Sequence, residues 1–175
     1  MALRLRASAE IGAPAAVVFS VLSAAERLPE WNTSVSTARR VDRDRPVGLG
    51  SRAVFSGRLL GQTLESETQV VAFEPPRLFA TRGVRGPRLA TTFHLEPVPY
   101  GTRVLVEVSG EVPGGAIGGM LAERFLRSEL AASLGRLRGL CEHQARAAAA
   151  AEPIEGGDPA CWLHVQPGSG PNDSD

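Results

Sequence analysis

The order of apolar repeats along the chain limits the folds that it can adopt. Residues 3–11 alternate as a strand, and residues 15–22 and 25–28 indicate a helix that Pro29 breaks before Trp31. Further segments with a period of two follow, separated by turns rich in Gly and Pro: 35–41, 51–58, 63–73, 78–82, 89–95 and 102–110. Because short turns join antiparallel neighbours, this order predicts an α+β fold with a curved antiparallel sheet of about seven strands.

A single long helix is predicted to close the sheet. Residues 120–148 place one apolar stripe along a helix, formed by Leu126, Leu130, Leu134, Leu137, Leu140 and Cys141. The glycine-rich segment 113–119 before it is expected to be a flexible hinge. A sheet curled round one helix tends to leave a pocket between the two, so we expect the chain to hold an apolar molecule there.

Alternation within the predicted strands separates an inward face from a solvated face. On residues 63–70 the inward set includes Ser66 and Thr68, whereas His94 points outward from its strand. Trp31 is expected either at the pocket entrance or in the core, and the sequence favours neither position. The candidate ligand-binding residues are Trp31, Phe55, Ser66, Thr68, Phe79, Thr91, Phe93, Leu126, Leu130, Ser133, Leu134 and Leu137.

We expect residues 1–148 to form one ligand-binding domain. Residues 149–175 are dominated by Gly, Pro, Ser and acidic side chains beyond an alanine run, so they are expected to form a disordered tail. Within that tail, the apolar segment 161–165 is expected either to be unstructured or to dock on a surface or over the pocket mouth.

Charge and cysteine usage narrow the possible partners. The formal net charge is zero, so no overall field attracts nucleic acid or an anionic membrane. Cys141 and Cys161 stand alone, without the spacing of a disulfide framework or a zinc site. No segment has the pattern of a signal peptide or the length of a membrane span. We therefore expect a cytoplasmic protein with no metal or cofactor and no integral membrane association, whose oligomeric state the sequence leaves open.

The side chains that carry chemistry are scattered. His94, His143 and His164 fall on three different predicted segments, and no nucleophile stands beside any of them. The inward polar residues Ser66, Thr68, Thr91 and Ser133 carry hydroxyls, which titrate far from neutral pH and therefore suit hydrogen bonding to a ligand better than acid–base work. We predict no catalytic residue and favour binding over catalysis.

Several short segments, in this order and spacing, resemble the START-like, or SRPBCC, superfamily and its polyketide cyclase/dehydrase-like branch. They are IGAPAAVVF at 11–19, LPEWN at 28–32, VGLGSR at 47–52, FEPPRL at 73–78 and GTRV at 101–104. The resemblance covers about residues 3–148. It implies a helix-grip fold, in which a curved sheet wraps a long C-terminal helix around a deep cavity. The superfamily includes lipid and sterol carriers as well as aromatase/cyclases.

Three functions follow from this resemblance and from the residues. The leading one is a carrier or sensor that binds a lipid, polyketide or aromatic metabolite. The second is a polyketide cyclase or dehydrase, which needs a buried acid–base group such as His94 or an inward arginine; the only tyrosine, Tyr100, sits in a turn. The third is a protein-interaction module that uses segment 161–165 or the arginines around one hairpin, Arg77, Arg82, Arg85 and Arg88.

Overall fold

The computed structural model describes residues 2–59, 61–111 and 115–151. Its strands are β1 (Ala2–Ile11), β2 (Val35–Arg40), β3 (Arg52–Leu59), β4 (Gln62–Glu74), β5 (Leu78–Arg85), β6 (Leu89–Val98) and β7 (Gly101–Glu111). Its helices are α1 (Ala15–Ser23), α2 (Leu28–Trp31), which follows a short 3₁₀ turn at Ala25–Arg27, and α3 (Gly115–Ala151). The α+β fold and the seven-stranded sheet predicted from the sequence are confirmed.

All seven strands lie in one antiparallel sheet of order β1-β7-β6-β5-β4-β3-β2. Consecutive strands from β2 to β7 pair as hairpins, and β1 joins the far edge of the sheet by pairing with β7 from Ala2↔Glu111 to Ile11↔Thr102. The register shifts between Val35 and Thr37 on β2, and twice along β4. Because such bulges bend a strand and increase its twist, they favour the curvature that lets the sheet enclose α3.

The core lies where the C-terminal half of α3 meets β1, β7 and α1. Leu137 and Cys141 of α3 are fully buried there, beside Ile11, Val18 and Val104. Two hydrogen bonds hold the turn between β1 and α1: the Thr102 hydroxyl donates to the Ala13 carbonyl at 2.8 Å, and the Gly12 amide donates to Glu142 of α3 at 3.0 Å. The bond from Gly12 ties the later part of α3 to this turn.

Two boundaries differ from those predicted. Pro29 does not break a helix but occupies an early position of α2, where a missing backbone N–H costs nothing because first-turn amides have no intrahelical acceptor. Helix α3 begins at Gly115, so residues 115–119 are helical and not a hinge. The weak helix propensity of glycine, about 1 kcal/mol per residue, is overridden at this end of α3. The predicted tail lies outside the described residues from position 152 onward.

Candidate ligand-binding cavity

A cavity of about 280 Å³ separates the inner face of the sheet from the N-terminal half of α3. This volume is near the lower end of the roughly 300–1,000 Å³ typical of small-molecule pockets. The sheet lines it with the apolar residues Phe55, Leu64, Val70, Phe79, Leu89, Phe93 and Val108, and the helices line it with Leu22, Leu28, Trp31, Leu126 and Leu130. The space therefore has hydrocarbon walls that are continuous with the core.

Ten of the twelve residues predicted to bind a ligand line this cavity: Trp31, Phe55, Ser66, Thr68, Phe79, Thr91, Phe93, Leu126, Leu130 and Ser133. The other two, Leu134 and Leu137, are not on its wall but are buried in the core. All four leucines share the apolar stripe of α3, but Leu134 and Leu137 lie on later turns, where the stripe belongs to the buried core cluster. The structure therefore places Leu134 and Leu137 in the core and not on the cavity wall.

Trp31 combines the two positions that the sequence left open. Its side chain belongs to the buried core cluster and also lines the cavity. The indole packs edge-on against Phe93, with the ring centroids 6.1 Å apart, and Phe93 in turn stacks on Phe79. The Trp31 Nε1 donor is sealed from solvent and has no hydrogen-bond acceptor among the described residues. The aromatic cluster thus forms one wall by packing, with the Trp31 ring held mainly by hydrocarbon contacts.

Hydroxyl side chains interrupt the apolar surface on the sheet side. Ser66 and Thr68 of β4, Thr81 of β5 and Thr91 of β6 all line the cavity. Thr81 was not among the predicted residues, although its position two residues after the inward Phe79 is the alternation signal that identifies it. Polar contacts for a ligand are therefore available on three neighbouring strands.

A second polar group, centred on Glu129 of α3, ties the helix to the connection between α2 and β2. Glu129 Oε2 accepts hydrogen bonds from the hydroxyls of Thr33 at 2.6 Å and Ser34 at 2.8 Å. Ser133 Oγ accepts one from the Thr33 amide at 3.1 Å, so this predicted ligand residue already has a structural partner. Hydrogen bonds from Thr33 and Ser34 hold the pKa of Glu129 below its ordinary value. Glu129 was missed because its partners are nearly a hundred residues away in sequence.

Three arginines border the cavity, and two of them are already paired. Arg40 contacts Glu26 at 3.2 Å and donates to the carbonyl of Arg45, while Arg52 contacts Glu67 at 3.1 Å. Arg40 was not expected there; the bulge in β2 gives it a half-buried position. Arg58, the third, is exposed near the end of β3.

The residues considered for acid–base or surface roles lie away from the cavity. His94 and His143 are exposed, and Tyr100 is almost fully exposed in the turn between β6 and β7. The hairpin residues Arg77 and Arg85 make peripheral ion pairs with Glu74 and Glu65. Within residues 2–59, 61–111 and 115–151, no set of three or more His, Cys, Asp or Glu residues is grouped to hold a metal ion. Across the same residues, no helix combines the length and apolarity needed to cross a membrane.

A family model described as polyketide cyclase/dehydrase and lipid transport matches residues 2–142. The chain belongs to this family. This match confirms the START-like, polyketide cyclase-like resemblance that the sequence segments indicated. No curated protein sequence matches the chain.

Solved structures of this family's fold superpose over most of the chain. An aromatase/cyclase from a Streptomyces species has a TM-score of 0.69 at 14% identity and covers 85% of this chain and 98% of its own. A Thermus thermophilus protein has a TM-score of 0.68 at 20% identity, with coverages of 84% and 99%. A START superfamily protein from Mycobacterium smegmatis has a TM-score of 0.61 at 20% identity, with coverages of 83% and 98%. At these identities the likeness establishes the helix-grip fold alone.

Proposed function

We propose that this protein binds a hydrophobic small molecule, such as a lipid, polyketide or aromatic metabolite, between the sheet and α3, as a carrier or sensor. The supporting observation is the cavity of about 280 Å³, whose walls are mostly hydrocarbon. Transfer of an apolar ligand surface from water into such walls contributes about 25 cal/mol per Å² of area removed from water. The proposal takes residues 1–148 as the ligand-binding domain.

Binding is favoured over catalysis by the state of the charged groups around the cavity. Among the described residues that line the cavity, Glu129 carries the carboxylate. Because its pKa lies below the ordinary value, this carboxylate is a weak proton acceptor at neutral pH. Arg40 is engaged by Glu26. A cyclase or dehydrase function remains the second candidate, because Arg40 borders the cavity and one structural neighbour is an aromatase/cyclase.

Native mass spectrometry of the purified chain tests the proposal directly. We expect a noncovalent adduct that collisional activation removes, and organic extraction then gives its chemical class. Nile red uptake provides a second test when the purified protein is empty. A chain that carries no adduct and leaves Nile red unbound contradicts the binding proposal and favours a protein-interaction role. Conversion of an added polyketide chain by the purified protein would instead support the cyclase candidate.

Filling the cavity should abolish ligand uptake without unfolding the domain. Leu130→Trp places an indole in space bordered by α3 and the sheet, so we expect at least a tenfold loss of Nile red affinity with an unchanged circular dichroism spectrum. Phe93→Trp tests the facing wall in the same way. Leu121→Trp is the matched control, because Leu121 lies on the same helix, is 65% exposed and is not on the cavity wall. Unchanged uptake in both cavity variants would contradict the pocket assignment.

The expected cytoplasmic location is part of the same proposal. Cys141, the cysteine within the residues that the structure describes, is a buried free thiol, as expected for a chain that does not depend on disulfides. Fractionation of cells that express the full chain tests the location.

A further inference from the structure

Four of the hydroxyl side chains that line the cavity form a row across β4, β5 and β6, which we call the hydroxyl row: Ser66, Thr68, Thr81 and Thr91. Thr81 lies directly opposite Thr91 in the pairing of β5 with β6. Thr68 pairs with Gly83, two residues from Thr81, so the row continues diagonally onto β4. With neighbouring strands about 4.8 Å apart, the row extends over about 10 Å of the sheet.

These hydroxyls have no hydrogen-bond partner among the described residues, whereas several hydroxyls elsewhere in the fold do. Thr102 donates to the Ala13 carbonyl, and Thr37 and Ser56 bond to each other at 2.7 Å. Ser66 is a buried residue, yet its oxygen is not among the buried polar atoms that are sealed without a partner. Since the row lines the cavity, its unused hydrogen-bonding capacity is presented to whatever occupies that space.

The wall on the helix side has the opposite character. Leu126 and Leu130 of α3 border the cavity there, and Leu28 of α2 adds to the same hydrocarbon surface. The polar residues of α3 at the cavity, Glu129 and Ser133, are occupied by the Thr33 and Ser34 connection. A molecule in the cavity therefore meets free hydroxyls on the sheet and mainly hydrocarbon on α3, with Ser23 of α1 as a separate hydroxyl at the border.

Charge selection is weak at this site. The cationic groups of Arg40 and Arg52 are each paired with a carboxylate. Arg58 also borders the cavity. It pairs with Thr63 of β4, and both residues are exposed. Among the described lining residues, the cation without an ion pair is Arg58, which is exposed and screened by water, so a ligand carboxylate buried against the hydroxyl row would gain little compensation for its desolvation. A neutral carbonyl or hydroxyl needs none, because a Ser or Thr hydroxyl donates and accepts.

From this asymmetry we infer that the ligand is a neutral, mainly hydrocarbon molecule with carbonyl or hydroxyl groups along one edge. That edge lies on the hydroxyl row, and the apolar edge lies on α3. The inference rests on the proposed binding function and adds the orientation of the ligand and the chemistry of its polar edge.

Two probes of nearly identical shape test the inference. Fluorenone carries a carbonyl where fluorene carries a methylene, and calorimetry gives the affinity of the full chain for each. The Thr81→Val, Thr91→Val double variant keeps the side-chain shape and removes two hydroxyls. We expect it to weaken fluorenone binding about fivefold to tenfold, which corresponds to about one net hydrogen bond, and to leave fluorene binding unchanged or tighter.

Matched control variants distinguish the loss of the hydroxyl groups from other effects of substitution on binding or folding. Thr92→Val is on the same strand, one residue from Thr91 and on the opposite face, so both affinities should stay unchanged. Thr81→Ser with Thr91→Ser retains the hydroxyls and should keep most of the preference for fluorenone. Thermal unfolding confirms that each variant is folded.

The possible failures are distinct. If the wild-type protein binds both probes but the Val variant leaves the fluorenone-to-fluorene affinity ratio unchanged, the hydroxyl row is not the polar subsite and the binding function stands. A fluorene carboxylate that binds more tightly than fluorenone overturns the neutral ligand. If neither probe nor Nile red binds, the proposed function fails together with this inference.

Discussion

Cys141 shows how strongly position within the fold sets the chemistry of one side chain. It is fully buried on α3 within the core cluster, and this burial raises the pKa of its thiol to about 11. Thiolate is the reactive form of cysteine, so almost all of the population is unreactive at neutral pH. The residue serves here as a small apolar side chain.

The burial of Cys141 predicts slow thiol labelling. In a Cys161→Ser variant, where Cys141 is the remaining cysteine, we expect a disulfide-exchange reagent at pH 7 to leave the folded protein essentially unlabelled over minutes. Complete labelling in guanidinium chloride is the control for reagent and concentration. Rapid labelling of the native protein at neutral pH would contradict the packed core around Cys141.

Individual cavity residues were predictable where a strand alternates regularly. The inward assignments of Ser66, Thr68, Thr91 and Phe93 needed only the period of two, and all four line the cavity. Arg40 could not be assigned, because the register shift in β2 breaks the alternation on which such an assignment depends. Trp31 remained ambiguous because a cavity wall and a core have the same hydrocarbon surface in this fold.

At the scale of single elements, α3 divides its apolar stripe between two tasks. Leu126 and Leu130 border the cavity, whereas Leu134, Leu137 and Cys141 pack in the core. The sequence reveals the apolar face of a helix but not the distance of the sheet from each turn. For that reason the helix was predictable and the division of its stripe was not.

Glu129 joins α3 to the segment after α2, and this contact should depend on pH. Because the pKa of Glu129 is lowered in the folded state, its contribution is fully present above the ordinary value of 4.5 and is lost as the pH falls through the lower folded value. We expect Glu129→Gln to lower the free energy of unfolding by about 1 kcal/mol at neutral pH, because it removes a charge-assisted hydrogen bond at a partly exposed site. Urea unfolding at neutral and acidic pH measures the difference.

The Glu129 prediction has a control on the same helix. Glu123→Gln removes a carboxylate whose ion-pair partner among the described residues is Arg127, one turn away on α3, so it should change the free energy of unfolding by a few tenths of a kcal/mol. If the cost of Glu129→Gln is the same at acidic and neutral pH, the ionised carboxylate does not hold this connection.

At the scale of the whole molecule, the open cavity should lower the stability of the empty protein. A fully packed interior of this fold would bring α3 against the sheet along its entire length, whereas the structure keeps about 280 Å³ open beside Leu126 and Leu130. Unfilled apolar space lowers stability because the lining atoms lose contacts. If the cavity binds a ligand as proposed, we therefore expect the bound fold to be more stable than the empty one.

The bound state should resist heat more than the empty state. A ligand at a hundred times its Kd stabilises a protein by about 2.7 kcal/mol, which for a domain of this size raises Tm by roughly 5–10 °C. We expect fluorenone at such an excess to produce this rise in the full chain, measured by differential scanning calorimetry.

Leu130→Trp tests ligand binding and the thermal stability of the empty protein in one variant. Its indole should occupy the space that the ligand would fill, so we expect fluorenone to leave the Tm of this variant unchanged, while the Tm without fluorenone equals or exceeds that of the empty wild-type protein. Leu121→Trp, on the exposed face of α3, should keep the full rise. An equal rise in both variants would show that fluorenone binds outside the cavity, since only the residue at position 130 lines it.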